Sequence, residues 1–201
     1  LSARPDLNTL QLTRMNANLY SALRAAFPAN LDSLAIQPAD GPDTHSHYTW
    51  RDLDRASARI ANLLGSLDLP PESRVAVQVE KSVEALVLYL AVLRAGHVFL
   101  PLNTAYQASE IAYFVGNAEP AVVVCSPKNF IWVSRIAFQA GTAHVYTLGD
   151  DRSGTLLERA AYHGDAHTPA MKRAGDLAAI LYTSGTTGRS KGAMLSHGNL
   201  L

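Results

Sequence analysis

Cysteine is nearly missing from this chain of 201 residues: Cys125 is the single one. A disulfide framework and a cysteine-rich zinc site are therefore excluded within it, and a reducing compartment is the default. Lysine is scarce, at four residues, while arginine and alanine are plentiful, a balance expected of a GC-rich bacterial gene. No sign of charge dominates, because 17 Lys and Arg stand against 17 Asp and Glu. A nucleic-acid partner calls for a basic face, so this class is excluded. Long apolar runs are absent too. The longest, Ala85 to Leu93, falls short of the ~20 residues a membrane span requires. Leu1–Ser2–Ala3–Arg4–Pro5–Asp6 holds no apolar signal core. A cytoplasmic protein without a membrane span is the expectation.

What is present is ordinary globular composition, 48% hydrophobic and 17% charged. A chain of this length buries roughly 70% of its unfolded surface and needs no staple. Length predicts one or two domains. Internal repeats and low-complexity tracts are not evident.

Periodicity and punctuation divide the chain. Leu19, Ala22, Leu23 and Ala26 make a short helical stripe. Pro28 to Ser46 reads as turns around Leu34–Ala35–Ile36. Thr49 is an N-cap with Asp52 in the first turn, and Leu53, Ala56, Ile60, Leu63 and Leu64 hold one helical face that Pro70–Pro71 ends. Val75 to Val79 is a strand. Ser82 caps a helix from Val83 to Ala95, apolar nearly all round and so buried, with Gly96 as its stop. Lys81 and Glu84 read as surface charges of that helix, and Arg94 as a cation complementing its C-terminal dipole. Further strands are Val98 to Leu100, Ala121 to Cys125 and His144 to Leu148. Helices at Ser109 to Val115 and Phe130 to Ala140 lie between them. Cys125 reads as a small, inert hydrophobe. Asp150 to Gly175 reads as a loop or short helix. Strands that alternate with helices and are apolar throughout predict an α/β fold, with a mostly parallel sheet covered on both faces.

One segment carries chemistry. The apolar strand Leu177 to Thr183 runs into Ser184–Gly185–Thr186–Thr187–Gly188–Arg189–Ser190–Lys191–Gly192, and Ala193–Met194–Leu195 follows. Gly185 and Gly188 permit positive φ and a close backbone approach, and successive N–H groups can form an anion nest. Thr183, Ser184, Thr186 and Thr187 add hydroxyls, and Lys191 adds a cation. Each charge-assisted hydrogen bond contributes roughly 1.5–3 kcal/mol. The spacing is not that of a Walker A loop, nor of a Gly-x-Gly-x-x-Gly dinucleotide turn. The residues alone leave two uses open: a phosphate cradle, or a hydroxyl-rich hairpin with Lys191 solvated.

Tyr182 to Gly192 resembles the signature phosphate loop of the adenylate-forming superfamily: acyl-CoA synthetases, peptide-synthetase adenylation domains and luciferases. Ser190 stands where the family usually has Pro. Tyr48 to Leu53, Leu93–Arg94–Ala95–Gly96 and Pro101–Leu102–Asn103 extend the resemblance over Met15 to Leu201. Residues 1–14 match nothing placed. Glu80 to Leu90 and Pro101 to Tyr106 look most like malonyl-CoA synthetases.

The resemblance implies an ATP-dependent acid–CoA ligase of fatty acid metabolism, with ATP, magnesium, coenzyme A and a small carboxylic acid as its small-molecule partners. The acid would be activated as an acyl-adenylate and passed to the thiol. Thr183, Ser184, Gly185, Thr186, Thr187, Gly188 and Lys191 would bind the ATP phosphates. His197 would either line the site or serve in capping and packing. Alternatives are another acyl-CoA synthetase, an adenylation domain, or a non-catalytic fragment that binds nucleotide or a partner. His163 and His167 flank Asp165 in a loop-like setting that does not make a metal site, and His45 and His47 read as solvated. Residues 15–201 are expected to be the N-terminal part of the AMP-binding domain, cut before the acyl pocket, the magnesium ligand and the catalytic lysine. Purified residues 1–201 should accordingly form no acyl-CoA from ATP, acid and coenzyme A; turnover in an AMP-release assay would overthrow that reading.

Overall fold

The structure, a computed structural model, describes residues 16–37, 47–183 and 190–201. The N-terminal extension, His45 and the loop residues Ser184, Gly185, Thr186, Thr187, Gly188 and Arg189 lie outside the described residues.

Asn18 caps the first helix, α1 (Leu19–Ala25), by accepting from the Tyr20 N–H. Strands β1 (Leu34–Ile36) and β2 (Tyr48–Thr49) pair antiparallel. Leu34–Ala35–Ile36, the apolar stretch set among turn formers, is thus a strand, which the sequence reading did not assign. Three residues among turn formers show no period, and their partner lies beyond the next loop. Thr49 then caps α2 (Trp50–Gly65) in a reciprocal capping box with Asp52, as its sequence predicts.

The main sheet has six strands in the order β6-β5-β3-β4-β7-β8. They are β3 (Arg74–Gln78), β4 (Val98–Pro101), β5 (Val122–Cys125), β6 (His144–Thr147), β7 (Leu177–Thr183) and β8 (Lys191–Ser196). All pair parallel except β7 with β8. The connections carry α3 (Val83–Arg94), α4 (Ala108–Ala118), α5 (Phe130–Gln139) and α6 (Thr155–Ala160), and α7 (His197–Leu200) closes the chain. Gly96 and Gly141, at positive φ of 79° and 89°, follow α3 and α5 as left-handed stops.

Alternate residues along the strands feed two cores. Val75, Val77, Val122 and Val124 pack with Ile60, Leu64, Leu88, Val92 and Leu156 under α2, α3 and α6. Ala76, Val123 and Cys125 pack with Ile111, Phe114, Val115 and Val133 under α4 and α5. This is the two-sided cover that apolar strands require. Burial pushes the Cys125 thiol up to about 12, which leaves it protonated and unreactive. The cover stops at β8, where Met194 is 66% exposed.

Two charges sit where their sequence does not suggest. Glu84 is buried, not on the helix surface: the Tyr48 hydroxyl donates to it at 2.9 Å and Arg152 pairs with it at 3.2 Å. Arg94, only 6% exposed, is more than a dipole partner for α3. Its Nη1 donates to the Tyr20 hydroxyl at 2.7 Å, to Asp54 Oδ1 at 2.9 Å and to Ser57 Oγ at 3.1 Å. Its Nε and Nη2 both reach the His167 carbonyl, at 3.0 and 2.6 Å. Partners 37 to 74 residues away are invisible to a local reading. Burial raises the cost of ionising Asp54, but Tyr20, Arg94 and Arg24 outweigh it and hold its carboxyl below the usual value. Arg94→Ala should destabilise the fold by about 3–5 kcal/mol, because it strands this acid and several acceptors. The midpoint of urea unfolding reads this directly.

Candidate functional site

Parallel strands bring their carboxyl ends to one edge of the sheet, where ligands of open α/β sheets bind. Thr183, the last residue of β7, stands at that edge. β7 keeps register with β4 only at Phe99 and Ala179. From Ile180 onward its ladder partner is β8: Ile180 faces Met194, Leu181 faces Ala193, Tyr182 faces Gly192, and Thr183 faces Lys191. The described part of this two-stranded ribbon therefore ends at the pair Thr183 and Lys191. Of the seven residues expected to bind phosphate, Thr183 and Lys191 are described. They are cross-strand partners, both exposed, and so share one side of the tip.

The ribbon rests on α4. The Tyr113 hydroxyl donates to the Ser190 carbonyl at 2.9 Å. The Tyr182 hydroxyl donates to Asn117 Oδ1 at 2.5 Å, and its ring lies 4.5 Å from that of Phe114. Gly192 makes room for the Ile180 side chain: a Cβ there would meet Ile180 Cγ2 at 3.0 Å, while the Tyr182 ring, at 3.5 Å, would be in ordinary contact. Burial raises the Tyr182 hydroxyl above its usual value, with a smaller contribution from Tyr113. Sequence reasoning missed Tyr113 and Asn117. Their spacing of four on a helix was the available signal.

His197 lies at the far end of β8, about 20 Å of strand from Lys191. It is fully buried, its Nδ1 accepts from the Leu19 N–H at 3.0 Å, and its own N–H donates to the Asp176 carbonyl at 2.9 Å. The structure thus puts it in packing contact with the start of α1, at the amino edge of the sheet. His163, Asp165 and His167 are not drawn together into a site. Asp165 faces Arg55 and Arg59, at 3.6 and 3.9 Å, while the His167 carbonyl serves Arg94. No three His, Cys, Asp or Glu side chains converge among the described residues, and no described helix is long and apolar enough to cross a membrane.

The sheet is mostly parallel and covered by helices, and its hairpin of β7 and β8 ends at Thr183 and Lys191, on either side of the hydroxyl- and glycine-rich segment. The family described as AMP-binding enzyme matches residues 24–201, and the chain belongs to it. Crystal structures of MatB from Rhodopseudomonas palustris share its fold. The ATP-bound form is 50% identical, with a TM-score of 0.84 over 92% of this chain and 36% of that one. Phosphinothricin tripeptide synthetase PhsB of Streptomyces viridochromogenes is 34% identical over 90% of this chain and 14% of its own length. The isonitrile lipopeptide synthase of Mycobacterium tuberculosis is 36% identical over 83% and 6%. The chain thus spans about a third of MatB and a small part of these curated relatives.

The amino edge is acid-sensitive. Burial, helped by Lys172, pushes His97 down to about 4, and burial and Lys172 lower His197 against the opposing pull of Asp176 and Glu72. An unfolded histidine takes its proton near 6.5, whereas the folded site resists it. Stability is therefore full above pH 6.5 and falls with pH through the window down to about 4. At pH 5 the protein should be about 1–2 kcal/mol less stable than at pH 7, and His97→Gln should flatten this slope in urea titrations.

Proposed function

We propose that this chain is the N-terminal part of an AMP-forming acid–CoA ligase, and that its acid is malonate. The observation that carries the reading is 50% identity to ATP-bound MatB over 92% of the chain, joined to a loop-bearing hairpin at the carboxyl edge of the sheet. Malonate is proposed from the likeness of Glu80 to Leu90 and Pro101 to Tyr106 to malonyl-CoA synthetases. The curated relatives quoted above are peptide synthetases, which supports a second reading as an adenylation domain.

In the proposed reaction a carboxylate oxygen of the acid attacks the α-phosphorus of ATP, and the bond to pyrophosphate breaks. The thiol of coenzyme A then attacks the acyl carbon and AMP leaves. Charge builds on phosphate oxygens in the first step, so fixed donors and cations accelerate it. Thr183, Ser184, Gly185, Thr186, Thr187, Gly188 and Lys191 are assigned to the β- and γ-phosphates, with Lys191 as the mobile cation. His197 is assigned to packing. The described residues offer magnesium no cluster of ligands; its ligand, the acyl pocket and the catalytic lysine are expected beyond Leu201. A malonate pocket needs a cation for the second carboxylate, and arginine's planar fork suits it.

ATP–pyrophosphate exchange by the intact ligase tests both levels. Lys191→Ala should lower exchange about 100-fold, the equivalent of one charge-assisted donor, and Gly188→Val at least as much. Unchanged exchange in both would remove the phosphate role. Malonate should exceed butyrate in kcat/KM by orders of magnitude, since an apolar acid would leave a buried arginine unpaired. Preference for butyrate would sink malonate alone, and preference for an amino acid would favour the adenylation domain.

A further inference from the structure

The hairpin leaves the sheet early. After the single register pair at Phe99 and Ala179, residues 180–183 have only β8 as ladder partner. Two strands by themselves are at best marginally stable in water, so the tip is only as well placed as the surface the ribbon leans on. That surface is one turn of α4. Tyr113, Phe114 and Asn117 are three and four apart and face the ribbon together.

The contacts fall on both stems of the loop. Before it, Tyr182 is held at its ring by Phe114 and at its hydroxyl by Asn117. After it, the Ser190 carbonyl accepts the Tyr113 hydroxyl. Tyr182 and Ser190 are each one residue from the tip pair Thr183 and Lys191. The Tyr113 and Tyr182 rings, 6.3 Å apart and edge to face, close the cluster. Tyr106 supports it from behind, 4.9 Å from Phe114.

We infer that Tyr113 and Asn117 are positioning residues for the phosphate loop: through Ser190 and Tyr182 they fix both stems against α4, and so set where Thr183 and Lys191 meet the nucleotide. The inference rests on the loop reading proposed above. Neither side chain touches ATP in this scheme. Their effect comes from geometry, since sites of this kind tolerate displacements of only about 0.5 Å.

The experiment is steady-state exchange kinetics of the intact ligase, with thermal melts of each variant. Tyr113→Phe keeps the ring and removes the hydroxyl. Asn117→Ala removes the acceptor, and Asn117→Asp restores one. Tyr113→Phe and Asn117→Ala should each raise the KM for ATP about three- to tenfold, the effect of one neutral hydrogen bond. The KM for the acid and the melting temperature should stay put, and Asn117→Asp should recover most of the loss. Placed on Lys191→Ala, Tyr113→Phe should add little further, because both act on one contact with phosphate. A purely structural role would move the melting temperature and leave the ATP and acid constants shifted alike. An unchanged KM for ATP, or fully additive losses in the double variant, would overturn the inference. If Lys191→Ala acts as expected and Tyr113→Phe does not, the positioning role alone fails. If Lys191→Ala is silent, the loop reading fails and takes this one with it.

Discussion

A buried guanidinium has to be met by acceptors or the fold is lost, and Arg94 distributes that requirement over three separate parts of the chain. Tyr20 from α1, Asp54 and Ser57 from α2, and the His167 carbonyl from the connector before β7 all converge on it. The connector has little apolar pattern to place it. Polar contacts place it instead: Asn62 donates to the Gly164 and Ala166 carbonyls, and Asn16 and Asn18 donate to that of Ala170. With the connector pinned, β7 enters the sheet beside β4, and everything that β7 presents at its far end follows from that entry.

Two requirements of opposite kind meet in the hairpin. Inside the sheet, β7 is ordinary: Ala178 and Ala179 are buried between neighbours. Beyond Ala179 the same strand gives up its parallel neighbour and keeps only an antiparallel one. What is lost in ladder bonds is offset by aromatic packing against α4. Gly192 helps both conditions hold, because a Cβ there would crowd the Ile180 side chain across the ribbon.

Local patterns carried the elements whose signals are local. Thr49 with Asp52, Ser82 before an apolar run, and Gly96 and Gly141 after one are near-neighbour arrangements, and the structure places helix ends at each. The apolar strands foretold the cover on both faces. Charges were the weak point. Glu84 looks like a surface residue until Tyr48 and Arg152 arrive from other parts of the chain, and Arg94 looks like a helix-end cation until three segments close around it. The string from Tyr182 to Lys191 carries the family resemblance on which the proposed phosphate role rests. It could not show what holds the string still, because Tyr113 and Asn117 lie more than sixty residues earlier and form part of an otherwise unremarked helix.

The early departure of β7 from the sheet has a mechanical side. The ribbon is a beam fixed at Ala179 and propped near its free end by a single turn of α4. A beam held in this way has little stiffness of its own along the free span, so a small tilt of the prop becomes a larger sweep at the tip. Beyond Ala179 its ladder bonds run only between β7 and β8, so opening of that span is governed by its contacts with α4 rather than by the rest of the sheet. A displacement of α4 is therefore passed on to the end of the ribbon that carries Lys191.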